Sequence, residues 1–288
     1  MTASAAISNR FSSNRFSVMP YLSVFRMRFL LMLQYRTAAI AGFATQCWWG
    51  LIKVMVFAAF FRSTIAHQPI SFAQAVTYTW LGQAFLVLLP WNADPEVASM
   101  VRSGDVSYDR LRPLDTYFYW YVRAMGWMLA RLVPRAALMF AMAGLILPLV
   151  GLGDWRLRFP TGFEAGLLFA PAMLSVLLLS SAMVMLINIA MVASMTERGV
   201  NTLMVPLVNI FSGSIVPLLF FPDWMQWVLF LQPFAGLVDI PYRIYFGNLI
   251  GVGALAGIIQ QLVWTAILLL IGKRLMARVM SRMQIQGG

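Results

Sequence analysis

From Ala165 to Ser194 the chain runs without a charged residue, and several other stretches are nearly as apolar. A helix needs about 20 such residues to cross ~30 Å of hydrocarbon at 1.5 Å per residue. Inside lipid every backbone polar group must be satisfied by protein, which leaves helices and closed barrels as spanning structures. The runs are continuously apolar and lack the two-residue alternation of a transmembrane strand, so helices are expected. Composition agrees: 61% of residues are hydrophobic, 11% are charged, and mean hydropathy is +0.77. A water-facing surface carries about a quarter charged residues, so the 288 residues do not read as a soluble domain.

The expected architecture is an all-α integral membrane protein. It has six transmembrane helices, an N-terminal interfacial helix and a re-entrant segment before the last span. Residues 1–17, rich in Ser and Asn, read as a disordered cytoplasmic tail, and 18–288 as one transmembrane domain. Pro20 to Arg36 is apolar but interrupted by Arg26, Arg28 and Gln34, which suits a helix lying along the cytoplasmic leaflet. Spans are expected at Ala38–Phe61, Ala73–Trp91 and Leu132–Leu152. Three more are expected within Ala165–Ser194, at Val200–Phe221 and at Leu249–Ile271.

The loop 92–131 carries Asp94, Glu96, Asp105, Asp109 and Asp115, and ends in an aromatic run, Tyr117 to Tyr121, of interfacial type. The segment 222–248 is apolar but broken by Pro233 and Pro241, so it is expected to dip in from outside and return. Trp224 and Trp227 would sit at the outer interface, with Asp239 and Arg243 one helical turn apart and able to pair.

Basic residues set the orientation. With the N-terminus inside, cytoplasmic segments hold 15 of the 21 Lys and Arg, and the outer loops hold 4, namely Arg62, Arg156, Arg158 and Arg243. This asymmetry obeys the positive-inside rule and places both termini in the cytoplasm. The net charge of +11 does not imply a nucleic-acid partner, because the basic residues punctuate apolar runs and form no single patch. Cys47 is the only cysteine, so an intrachain disulfide is excluded, and the lone His67 has no ligand cluster near it in sequence.

No GxxxxGK[ST] loop appears, and no catalytic constellation is visible. Gly253 and Gly257 read as a small-residue face for close helix approach. Polar groups within spans are costly unless paired or watered. Lys53 reads as snorkelling to the outer interface; Asn188, Asn201 and Asn209 read as interhelical hydrogen bonders or cavity-lining groups. Arg123, Arg131 and Arg135 fall near one helix face, anchoring at the cytoplasmic leaflet or forming a cavity wall that attracts anionic headgroups.

The segment Val101-Arg102-Ser103-Gly104-Asp105-Val106-Ser107-Tyr108-Asp109-Arg110-Leu111-Arg112-Pro113-Leu114-Asp115 resembles a signature of ABC type-2 exporter permeases. A second match is Leu231-Gln232-Pro233-Phe234, then Asp239-Ile240-Pro241, then Arg243-Ile244-Tyr245-Phe246-Gly247. The likeness is to the bacterial subfamily in which paired permeases work with a separate ATPase. It implies a plasma-membrane permease subunit that binds no cofactor itself, with ATP and Mg held by ABC ATPase subunits. A second permease copy or paralogue completes the dimer, and membrane lipid surrounds it.

The resemblance also implies a cytoplasmic coupling helix, which Gly104 and Pro113 would bound, with Asp105, Asp109, Arg110 and Arg112 facing the ATPase. Closure of the ATPases would rock the spans and open a central cleft outward. Asn209, Phe211, Asn188, Arg131 and Arg135 are the candidate lining residues. The substrate class is amphipathic or lipophilic. The rival reading is an ATP-independent channel or secondary transporter, which the lack of an acid deep in any span disfavours.

Overall fold

The computed structural model describes residues 18–34, 36–63, 68–194 and 196–282; the expected N-terminal tail and His67 lie outside the described residues. No strand occurs among them. The helices are α1 (Met19–Leu33), α2 (Arg36–Ser63), α3 (Phe72–Ala84), α4 (Pro95–Ser103) and α5 (Thr116–Ala141). They continue as α6 (Phe163–Ser194), α7 (Glu197–Phe211), α8 (Asp223–Leu231), α9 (Asp239–Tyr245) and α10 (Gly251–Arg282). A π turn over Met142–Ile146 carries α5 on to Leu149.

Among the described residues four stretches are long and apolar enough to cross a membrane: Ala39–Ser63, Thr116–Leu149, Phe163–Ser194 and Gly251–Ser281. The chain is therefore an all-helical, multi-pass membrane protein. The expected second and fifth spans form shorter helices. α3 has 13 residues and tightens into a 3-10 turn at Leu86–Leu88. α7 has 15 residues and ends where Ser212 and Gly213 turn the chain, Gly213 with a φ of 86°. At 1.5 Å per residue these cover about 20 Å and 22 Å.

α6 is the centre of the fold. In its most apolar stretch 78% of residues are buried by protein, against 17% for α2. α10 and α5 pack along it, and α9 also packs against it. α2 meets the core through Gly50, where an added Cβ would come within 2.4 Å of the Trp80 ring. α1 lies along the first half of α5, its Phe25 carbonyl against Gly126. Gly257 does provide a close approach, to Ile240 of α9, whereas Gly253 makes only ordinary contact.

Two corrections concern α5. The helix starts at Thr116, so the second half of the expected polar loop is helical. The aromatic run is buried by protein: Tyr117 lies against Gly272 of α10, Trp120 donates to Asp109, Tyr121 donates to the Leu178 carbonyl of α6, and Tyr119 is buried with them. Aromatic rings bury the largest area per residue, and here they fill the junction of these helices.

Polar contacts sort the turns into two ends. At one end Tyr21 accepts from the Asp115 amide, Lys273 pairs with Asp115, and Asn188 accepts from the Asp94 amide. At the other end Tyr78 donates to the Gly213 carbonyl, Trp80 to Trp155, Tyr245 to Arg158, and the Gly251 amide to Glu164. Lys53 belongs to this second end, donating to the Ser214 carbonyl at 3.4 Å.

Candidate functional site

The loop from Ala93 to Asp115 is built as a pinned platform. Asp94 caps α4 by accepting from the Glu96 amide at 2.9 Å, with Pro95 at the first turn where its missing N–H costs nothing. Val97, Ala98 and Val101 turn inward. Gly104, with a φ of 81°, ends the helix in the left-handed conformation that suits glycine. The segment expected as a short helix between Gly104 and Pro113 forms a 3-10 run over Asp105–Leu111, preceded by α4, which the sequence does not announce.

Within this run Val106 and Asp109 point inward. Asp109 accepts from Trp120 Nε1 at 2.8 Å and from Arg112 Nε at 2.9 Å. Arg112 also lies over the Tyr119 ring, 4.9 Å from its centroid. The hydrogen bond to Asp109 raises the Arg112 pKa above its ordinary value. Asp105 accepts from Ser103 Oγ at 2.6 Å. The Arg110 side chain lies outside the described residues, and Pro113 is exposed. Asp115 caps α5 and meets Lys273 at 3.0 Å. Outward from this braced frame stand Tyr108 and Leu111, 66% and 80% exposed.

Where the platform joins the helices, four charges converge from three elements. Arg28 of α1 contacts both Asp94, at 3.5 Å, and Glu96. Arg123 of α5 lies 3.7 Å from each of the same carboxylates. Asp94 is 1% exposed and Arg123 4%, so the ions neutralise one another out of water. Asn188 of α6 is fully buried and Asn201 of α7 accepts from the Ala93 amide at 3.2 Å, so both side chains hold the loop backbone.

Beside this cluster lies a cavity of about 770 Å³ between α1, α2, α4 and α5. Its wall includes Arg28, Glu96, Trp127, Arg131 and Arg135. A smaller cavity of about 100 Å³ lies behind the last three and is closed by Gln46 and Trp91. Arg131 stacks on Trp127 at 4.6 Å. Arg135 lies against Gly42, where a Cβ would come within 2.5 Å of its guanidinium carbon.

The structure therefore separates the expected site residues. Arg131 and Arg135 share a cavity, while Asn188 is committed to the loop. Asn209 and Phe211 are half-buried at the far end of α7, where Phe211 packs near Phe234 at 6.3 Å. Arg28, on the cavity wall, and Gly42, against Arg135, carried no sequence signal beyond an interfacial arginine and an ordinary helix glycine. Comparison with protein-family models and with curated proteins finds no match to this chain.

Proposed function

We propose that this chain is the membrane subunit of an ATP-driven exporter of the ABC type-2 kind, working as a homo- or heterodimer with separate ATPase subunits in a bacterial plasma membrane. In this reading α2, α3, α5, α6, α7 and α10 make six passages, and both chain ends are cytoplasmic. α1 lies on the inner surface, and 222–248 enters from outside and returns. The substrate is amphipathic or lipophilic, and ATP and Mg bind only the partner.

The observation that carries the reading is the platform. Its inner face is fixed by Asp94, Asp109 and Asp115 to α1, α5, α6 and α10, so force on it reaches the helix bundle. Its outer face presents Tyr108 and Leu111 among charged residues, an apolar anchor with a polar rim of the kind a protein partner covers. Rigid coupling of this sort lets closure of a partner tilt the helices.

The test is affinity purification of the full chain from its native membrane in mild detergent, with ATP hydrolysis measured on the purified complex. The wild type is expected to bring down a P-loop ATPase, and Leu111→Arg to release it while leaving the chain in the membrane. Equal recovery of the ATPase with Tyr108→Ala and Leu111→Arg would remove the platform from the interface. Absence of any nucleotide-hydrolysing partner would favour the channel or secondary transporter.

A further inference from the structure

Two buried polar atoms on one small cavity lack hydrogen-bond partners. Gln46 is 4% exposed, and its carbonyl oxygen accepts from nothing among the described residues. The indole N–H of Trp91 likewise donates to nothing among them. Both residues line the cavity of about 100 Å³, beside Leu89 and Val184. Gln46 lies seven residues into the stretch that starts at Ala39, about 10 Å at 1.5 Å per residue. Lipid offers nothing to bond with at that depth. Native interiors leave few such atoms unpaired, so an open acceptor and an open donor on one cavity form a hydrogen-bonding slot.

The slot suits a group that gives one hydrogen and takes another. A hydroxyl does both. An ionised carboxylate or sulfate only accepts, so it would answer Trp91 and set its negative charge against the Gln46 oxygen. An ammonium only donates, and it would enter a cavity whose wall includes the Arg131 guanidinium. The two open atoms therefore select an uncharged head.

The adjoining cavity indicates what carries that head. The small cavity shares Trp127, Arg131 and Arg135 with the cavity of about 770 Å³ between α1, α2, α4 and α5. That volume lies within the roughly 300–1,000 Å³ of small-molecule sites. Beyond the shared residues its wall includes Met32, Leu33, Ile40 and Leu138, with Ile40 60% and Leu138 39% exposed. Water fits the small cavity but gains nothing from this apolar wall, whereas a hydrocarbon body covers it.

We propose that the two adjoining cavities bind an uncharged amphiphile with a hydroxyl head, that is, a lipophilic alcohol. Its hydroxyl donates to Gln46 Oε1 and accepts from Trp91 Nε1, and its hydrocarbon lies along Ile40 and Leu138. The site rests on these open atoms and the apolar wall, not on the exporter reading. It needs no ATPase partner.

Binding is read by photolabelling the full chain in phosphatidylcholine nanodiscs. The probe is 1-decanol carrying a diazirine in its chain, and labelled residues are found by mass spectrometry. Label is expected at Ile40 and Leu138 and should be displaced by unlabelled 1-decanol. Decyl methyl ether, which cannot donate, and decyl sulfate, which is ionised, should each compete about five-fold less well at equal bilayer concentration. Gln46→Leu and Trp91→Phe should each lower labelling at sub-saturating probe about five-fold, the worth of one neutral hydrogen bond. Each removes an unpartnered atom and breaks no bond seen in the fold. Leu138→Trp keeps both polar atoms and fills the apolar wall, so it should abolish specific labelling. Unchanged labelling in Gln46→Leu or in Trp91→Phe would mean that the slot holds only water, and it overturns the proposal. Ether or sulfate competing as well as the alcohol overturns the hydroxyl head, a result read on the wild type alone.

Discussion

Asp109→Ala tests whether the platform is braced as the contacts imply. Trp120 is 1% exposed and its indole N–H donates to Asp109 at 2.8 Å. Removing the acceptor strands a buried donor, at a cost of about 1–3 kcal/mol. The Asp109–Arg112 pair adds little, ~0–1 kcal/mol, because Arg112 is 53% exposed and its charge is screened. At the midpoints of these ranges the local cost is about 2.5 kcal/mol, and since a factor of ten is ~1.4 kcal/mol, opening of the 3-10 run should rise roughly 60-fold. Amide hydrogen exchange on the detergent-solubilised protein reads that opening directly. Residues 105–111 should exchange faster by this factor in Asp109→Ala and by less than about ten-fold in Asp109→Asn, which keeps an acceptor for the indole. Protection in α6 should not change. Exchange of 105–111 at the wild-type rate in Asp109→Ala would refute the bracing, and equal loss of protection in α6 would show that the loop is not a separate unit.

Three further outcomes follow from the packing and the charge pattern. A reporter fused after Gly288 should read cytoplasmic and one inserted near His67 external; an external C-terminus would sink the six-pass arrangement. In a Cys47→Ser background, single cysteines at Asp223, Trp227 and Asn248 should all react with an impermeant thiol reagent added outside, and labelling of Asn248 only from the cytoplasmic side would make 222–248 a true span. Gly50→Leu drives a side chain into Trp80, where even a Cβ sits at 2.4 Å, so thermal unfolding should show a loss of about 1–3 kcal/mol, and an unchanged melting temperature would contradict that packing.

What the sequence reveals here is what local pattern controls. Charge-free runs mark α6 and α10, and the i,i+4 spacing of Asp239 and Arg243 anticipates their 2.6 Å ion pair. What it hides is set by distant partners. Tyr117 to Tyr121 has an interfacial composition, yet protein buries it: Tyr121 reaches the Leu178 carbonyl on α6, and Tyr117 lies against Gly272 on α10. Arg28 and Asp94 are 66 positions apart, so neither residue announces the other. Arg123, Arg131 and Arg135 share a helix face in sequence, but only the fold shows that carboxylates meet the first of them and a cavity surrounds the other two. Gly42 and Gly50 look like propensity defects in a helix until Arg135 and Trp80 are seen filling the space a side chain would occupy.

The segment 222–248 raises a question of backbone satisfaction, because it is divided into short helices whose ends leave backbone groups without helical partners. Side-chain amides and an indole answer it. Gln226 donates to the Phe221 carbonyl at 2.8 Å, Gln261 to Gly236 at 2.7 Å, and Trp264 to Leu231 at 2.8 Å. Gln232 does more: its amide nitrogen donates to Phe211 and Leu229, at 2.8 and 2.6 Å, and its oxygen accepts from the Phe234 amide at 2.7 Å. Gln232 and Gln261 should respond differently to replacement by leucine. Gln232→Leu strands three backbone groups, each worth about 1 kcal/mol in a part-buried setting, so a loss of roughly 2–3 kcal/mol is expected. Gln261→Leu strands only the Gly236 carbonyl, and it also removes the Gln261 carbonyl oxygen, which is buried without a partner. Losing one bond while relieving one orphan leaves a net change of about 0–1 kcal/mol. Thermal denaturation in detergent, with hydrogen exchange of 222–248 as the local readout, distinguishes the two. Equal destabilisation by both variants would mean that the side chains act as packing volume, and that the broken backbone is satisfied by something other than these amides.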